Sequence, residues 1–236
     1  GDMILFNRGQ YFNYTKGYSP GHGRAGYGYM FSSYGTGENP VIKPENFTGT
    51  LINQTGNGMA WITFKDLTFR GSMDNGTAAG EIFFTSQETN QILFQNIKFE
   101  NVSRAIVISG KSGYSGASST SYDVTSGIYL VNSSIYNSSK GTSFFAAAHR
   151  IALVDTIMNF SENHQTYFAY VDRGFFYNNT FVRAPFGREA FRISGASDGS
   201  WRPSKDIYVG KNKILGWIDP QSGTSVHGGQ AARYYY

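Results

Sequence analysis

At 236 residues the chain is long enough to bury one sizeable core. Its 15% charged residues are too few for a coiled coil, no run approaches the ~20 apolar residues of a membrane span, and the lack of cysteine excludes disulfide staples and thiolate chemistry. The net charge of +4, without dense Lys/Arg clusters, argues against a nucleic-acid domain but permits an anionic polymer as partner.

In chain order, Gly1-Asp-Met-Ile-Leu-Phe-Asn-Arg-Gly9 reads as a strand closed by a turn. It has neither the basic segment nor the apolar run of a secretory leader and looks like the middle of a strand, so the chain is read as a mature form or a piece of a longer protein. A Gly/Tyr-rich stretch follows from Tyr11 to Tyr34, and a glycine-rich turn, Ser33-Tyr-Gly-Thr-Gly-Glu-Asn-Pro, feeds a new strand at Val41. A short pattern then recurs six times. Its cores are Asp66-Leu-Thr-Phe69, Asn96-Ile-Lys-Phe99, Asn132-Ser-Ser-Ile135, Val154-Asp-Thr-Ile157, Asn178-Asn-Thr-Phe181 and Lys211-Asn-Lys-Ile214. Each follows an alternating apolar stretch such as Trp61-Ile-Thr-Phe-Lys or Gly127-Ile-Tyr-Leu-Val, and the cores lie 30, 36, 22, 24 and 33 residues apart.

Second strands accompany most copies: Glu81-Ile-Phe-Phe, Ala105-Ile-Val-Ile, Ser143-Phe-Phe-Ala, Tyr167-Phe-Ala-Tyr and Ala190-Phe-Arg-Ile. Val, Ile, Thr, Phe and Tyr fill these segments, the composition of strands. Repeats of roughly 20–50 residues carrying two or three short strands describe a solenoid, in which stacked coils share one apolar interior. The expected fold is all-β: a right-handed single-stranded parallel β-helix with irregular loops at both ends. Residues 1–40 are read as a first coil and loop, 41–218 as the repeated coils and 219–236 as an irregular tail, in one domain. Insertions at Gly71–Gly80, Gly110–Ser126 and Gly195–Lys205 fall at coil corners, where they can wall a binding face.

The opening Gly1–Gly9 segment, Tyr34-Gly-Thr-Gly-Glu-Asn-Pro-Val-Ile and the later Asn-x-x-apolar cores resemble right-handed parallel β-helix proteins of the pectin-lyase-like superfamily over roughly residues 1–218. Polysaccharide lyases, glycoside hydrolases, epimerases, phage tailspikes and adhesins share that fold, so the resemblance implies architecture more narrowly than activity. Gly187-Arg-Glu-Ala-Phe-Arg192-Ile-Ser-Gly followed by Val209-Gly-Lys-Asn-Lys-Ile is similar to the arginine coil of alginate and chondroitin lyases. The resemblance implies that Arg192 acts as the acid; the position of those enzymes' lysine base, one coil earlier, falls near Tyr170, where this chain departs from the pattern.

Coil alignment supplies further candidates. Matching Phe144, Phe168 and Phe191 stacks Phe145, Ala169 and Arg192 on one ladder and Thr142, Thr166 and Glu189 on another; a one-residue slip would set Ala146 beside Ala169 instead. Matching first strands stacks His149-Arg150, Asp172-Arg173 and Lys205-Asp206 at one corner. Neighbouring coils sit about 4.8 Å apart, so these charges reach one another. A groove holding His149, His164, Asp172, Arg173, Glu189 and Arg192 as catalytic candidates, with Arg150, Tyr170, Arg188, Trp201 and Asp206 as binding residues, fits sugar chemistry. Paired carboxylates serve glycoside hydrolysis; alternatively Arg holds a uronate carboxylate, His or Tyr170 removes the C5 proton and a carboxylate acts as acid. The plainer alternative is that these charges simply pair across coils.

Nine Asn-x-Ser/Thr triplets, at Asn13, Asn46, Asn53, Asn75, Asn101, Asn132, Asn137, Asn159 and Asn178, read better as turn residues bonded between coils than as glycan acceptors. No metal-ligand spacing is present, and neither a metal nor another cofactor is expected. Exposed Tyr and Trp201 point to a contact surface. The expected partner is a polysaccharide, anionic if Arg192 binds it, at an extracellular, cell or virion surface, with no nucleic acid and no membrane. A non-enzymatic segment of a tail fibre, adhesin or surface filament is the other reading, and it expects a homo-oligomer or polymer.

Overall fold

The computed structural model describes residues 1–20, 28–47, 49–54, 59–71, 80–85, 89–108, 126–139, 141–183, 188–194, 204–215, 217–218, 225–226 and 232–234. Among these the chain is all-β without a helix, and 19 strands join one large sheet. Every pairing described within that sheet is parallel. A separate antiparallel ribbon joins Trp217–Ile218 to Ser225–Val226. The tail expected to be irregular thus holds strand structure, and its Ala232–Tyr234 segment also pairs with Phe191–Ile193. The three insertions lie largely outside the described residues.

The chain pairs repeatedly with its own later segments. Met59–Arg70 matches Thr89–Val102 at an offset of 30 residues, and the latter matches Ser126–Val131 and Ser134–Ser138 at 36. Those two strands pair with Phe144–Val154 and Ile157–Ser161 at 23, which pair with Thr166–Tyr177 and Thr180–Val182 at 23 again. Ile207–Gly210 and Lys213–Leu215 follow at 33. At the other end, Tyr29–Tyr34 lies between Met3–Asn7 and Met59–Arg70, and Tyr11–Tyr14 pairs with Val41–Pro44, so the described strands before residue 40 belong to the same sheet.

Alternation decides which side chains enter the core. Phe31, Phe64, Phe94, Leu130, Leu153 and Phe176 occupy one register line, all buried, with Phe31–Phe64 and Phe64–Phe94 ring centroids 5.1 and 5.2 Å apart. Phe69, Phe99, Ile135, Met158 and Phe181 form a second buried line. Burying each such side chain contributes about 1.5–3 kcal/mol. In-register stacking places like beside like, which is why the repeats share residue types.

The turn before each second-line residue is left-handed. Asp66, Asn96, Asn132, Asp155, Asn178 and Lys211 all have φ between 46° and 55°, a region that Asn and Asp tolerate and β-branched residues do not. Their side chains bond across strands: Asn96 Nδ2 donates to Asp66 Oδ1 and Asn178 Nδ2 to Asp155 Oδ1, each at 2.7 Å. This turn corrects the fourth repeat. The copy read as Val154–Ile157 starts one residue later, at Asp155, and its core residue is Met158, 1% exposed, while Ile157 is 41% exposed. Valine cannot take the left-handed position; aspartate can. A second left-handed line contains Asn101 and Asn137, whose Nδ2 donates to Asn101 Oδ1 at 2.9 Å. Asn46, Asn101, Asn132, Asn137 and Asn178, five of the Asn-x-Ser/Thr residues, therefore serve as turn residues.

Two substitutions at each kind of position check this register by chemical denaturation. Met158→Ala is expected to lower stability by about 2–4 kcal/mol and Ile157→Ala by no more than about 0.5 kcal/mol. Asn178→Val should cost about 2 kcal/mol through backbone strain and the lost hydrogen bond, and Asn178→Gly about 1 kcal/mol or less.

Candidate functional site

The strand Thr166–Tyr177 carries Tyr170, Asp172 and Arg173 and pairs with the strands of His149, Arg150 and Arg192. Its partners differ from the alignment on phenylalanines. Thr166, not Phe168, lies opposite Phe144 and Phe191, so the outward ladder is Phe145, Tyr167 and Arg192 rather than Phe145, Ala169 and Arg192. Ala146 faces Phe168, and the register then shifts so that Ala147 faces Tyr170. The bulge leaves Ala169 unpaired and packs it with Ala147 in a small apolar cluster against Phe145 and Tyr167, outside the main core. A shift of two residues keeps every side chain on its own face, so the alternation pattern could not reveal it.

The same register sets His164, not Thr166, beside Glu189: Ser143 N–H donates to His164 O and Gln165 N–H to Glu189 O. His164 and Glu189 are each 5% exposed. His164 Nδ1 lies 2.6 Å from Glu189 Oε2, and Nε2 lies 3.4 Å from Arg192 Nη1. Arginine can only donate, so a ring protonated at Nδ1 presents Nε2 to it as an acceptor. Glu189 N–H donates toward the same Nδ1 at 3.2 Å. Arg192 lies with Cζ 4.4 Å from the Tyr167 ring centroid, and Ser194 Oγ donates to Tyr167 Oη at 3.2 Å. Neither Tyr167 nor Ser194 was singled out from the sequence. The outward parity of Tyr167 relative to Phe168 was the available signal, and the misplaced register hid its partner.

Burial pushes the His164 imidazole down. Glu189 opposes this, the Arg192 and Arg188 charges add to it, and the balance leaves the ring below the ordinary imidazole range. His164 is thus neutral at neutral pH, with its basic nitrogen turned toward the arginine. Arg188 itself is exposed.

The second cluster is the corner ladder, in the register expected. His149 Nδ1 lies 2.9 Å from Asp172 Oδ2, and Lys205 Nζ lies 3.2 Å from Asp172 Oδ1. Burial alone would raise the Asp172 carboxyl, but hydrogen bonds and charge from His149 and Lys205 outweigh it and hold the group below the usual carboxylate range. Arg150 pairs with Arg173 along the backbone, and its Nε donates to Ser126 Oγ at 2.9 Å. Arg150, Arg173 and Asp206 are exposed.

The candidates expected in one groove thus form two clusters of side-chain contacts among the described residues. Tyr167 and Asp172 stand five residues apart on one strand, at most about 17 Å of extended chain, with Val171 turned into the core between them. Backbone pairing sets Tyr170 opposite Ala147, and Trp201 lies outside the described residues. Among the described residues no group of three His, Asp or Glu is placed to hold a metal ion, and no helix is long and apolar enough to cross a membrane. No protein-family model matches the chain, nor does any curated protein or solved structure.

The His164 environment has a pH consequence. With the folded value depressed, the unfolded chain binds more protons below its ordinary value of about 6.5, so stability falls as pH drops through that window. Thermal melts from pH 7 to 4.5 should show the wild-type midpoint declining more steeply than that of His164→Gln. Parallel curves would refute the assignment of a buried neutral imidazole.

Proposed function

We propose that the chain is a surface or extracellular polysaccharide-acting protein that cleaves an acidic polymer by β-elimination at the His164–Glu189–Arg192 cluster. The scaffold in this reading is a right-handed single-stranded parallel β-helix. Successive parallel pairings at offsets of 23 to 36 residues support it, and parallel crossovers are right-handed in nearly all sheets. The observation that carries the functional reading is the buried carboxylate–imidazole pair whose outer nitrogen faces a half-buried arginine laid on an aromatic ring.

The chemistry follows from those positions. A uronate carboxylate binding Arg192 neutralises its own charge and lowers the acidity barrier at C5. It also draws the guanidinium off His164 Nε2, which in the Nδ1-protonated ring takes the C5 proton, while the Glu189 carboxylate 2.6 Å from Nδ1 stabilises the imidazolium that forms. The electron pair of the broken C5–H bond becomes the C4=C5 double bond as the C4–O bond breaks. Tyr167 Oη, which accepts a hydrogen bond from Ser194, gives its proton to the departing oxygen, and the His164 proton later restores it. Tyr167 thus takes the acid role that the sequence reading gave to a carboxylate or, by resemblance, to Arg192.

The non-enzymatic reading has its own support. His149, Asp172 and Lys205 compensate one another as a purely structural ladder would, and Met3, Ile4 and Leu5 expose apolar side chains at the first strand. Sedimentation analysis separates the two, since a fibre segment should be trimeric or polymeric.

Incubation with alginate, pectate, glycosaminoglycans and bacterial capsules, followed by ultraviolet absorbance, tests for the unsaturated product. His164→Ala is expected to reduce kcat by roughly 10²–10⁴, and Arg192→Ala to act mainly on KM. Absence of unsaturated product from every polymer would sink the elimination mechanism.

A further inference from the structure

A groove on a different part of the sheet has no role in that chemistry. Met30, Thr63, Leu93 and Tyr129 face outward on one register line and form its floor across four neighbouring strands, a run of about 14 Å at ordinary strand spacing. Trp61 and Gln91 stand along one side at the turn that precedes the floor, and the open volume is about 410 Å³.

Trp61 is held against its conformational preference. Its φ is 57° and it is 40% exposed. The same turn has Gln91 at 54° and Gly127 at 74°, so the backbone there is left-handed in three successive strands. Glycine meets that requirement without strain, whereas a bulky aromatic side chain does not. The indole is not needed to fill the core, because much of it faces solvent. Strain of this kind gathers where a side chain must be presented to something.

Two glycines shape the space around it. A Cβ on Gly127 would meet Gln91 Nε2 at 2.7 Å, so the missing side chain is what lets the Gln91 amide lie across the neighbouring strand. A Cβ on Gly28 would meet the Trp61 carbonyl oxygen at 2.4 Å, so glycine there permits the close approach of the two strands at the tryptophan. The lining offers indole and phenol rings, an amide and a hydroxyl, with no Asp, Glu, His, Lys or Arg among the described residues that form it.

We infer that this groove binds a short stretch of uncharged sugar residues, with Trp61 and Tyr129 against the ring faces and Gln91 and Thr63 paired with sugar hydroxyls. Aromatic faces match the C–H face of a pyranose, and the amide supplies both donor and acceptor. The uncharged lining selects against uronates and other anions. A peptide could not join here as an added strand, because the groove lies on the sheet face and the backbone groups of its floor are already paired. The inference shares only the ligand class with the elimination reading, and it stands or falls without His164.

Isothermal titration with maltohexaose, cellohexaose, xylohexaose and mannohexaose, together with indole fluorescence, tests it on the whole chain. At least one neutral hexasaccharide should bind, and Trp61→Gly should weaken that binding tenfold or more. The same variant should melt no lower than wild type, since glycine relieves the left-handed backbone; lost binding then cannot be ascribed to misfolding. Gln91→Ala should also weaken binding, and Arg192→Ala should leave it unchanged. Binding of no neutral hexasaccharide, equal binding by Trp61→Gly, or loss of binding on Arg192→Ala would each overturn the assignment. Activity of His164 variants on acidic polymers reports separately on the other site.

Discussion

The constraint on which everything else rests is parallel pairing of each segment with a segment 22 to 41 residues away. Parallel neighbours at about 4.8 Å force each side chain to live beside its counterpart. Phenylalanine lies on phenylalanine inside, and asparagine bonds asparagine or aspartate at the turns. The left-handed turn is the punctuation of that arrangement. It tells the chain where the outward alternation stops and the next buried residue starts, which is why Asp155 rather than Val154 opens its repeat.

The same pairing governs where charge can sit. At the corner, Asp172 lies between His149 and Lys205, and the side chains satisfy one another at an accessible edge. Asp172 is itself only 8% exposed, but its partners His149 and Lys205 reach solvent, where water and salt screen the contacts. His164 and Glu189 are different. They lie at the start of their strands with only 5% of each residue exposed, where desolvation dominates and keeps the imidazole neutral. Two pairs of similar composition thus carry different chemistry, and burial makes the difference. The proposed elimination mechanism uses the buried pair for that reason.

Outward-facing lines of the sheet are the other resource. One carries Phe145, Tyr167 and Arg192 and leads to the histidine; another carries Thr63, Leu93 and Tyr129 beside Trp61. Both arise because a strand buries every second residue and leaves the others to face solvent. Function on such a surface depends on which residues line up across strands, and a two-residue offset changes that line without moving a side chain to the other face.

Alternation and repeated Asn-x-x-apolar cores determined the all-β class, the repeated parallel pairing and most of the buried residues, because a period of two and a left-handed turn are local properties of a few residues. His149, Asp172 and Lys205 were legible as neighbours for the same reason, since their strand is matched by clear repeats. The His164–Glu189–Arg192–Tyr167 cluster was legible only in its members. Thr166 rather than Phe168 meets Phe144 and Phe191, a displacement of two residues that keeps facing parity, and a one-residue bulge at Ala169 follows it. Which residues touch, and which nitrogen of His164 accepts, are properties of register and burial that no single segment encodes. Tertiary structure decided them because pairing is chosen by the whole sheet, at the lowest combined cost of bulges, buried charge and unfilled core.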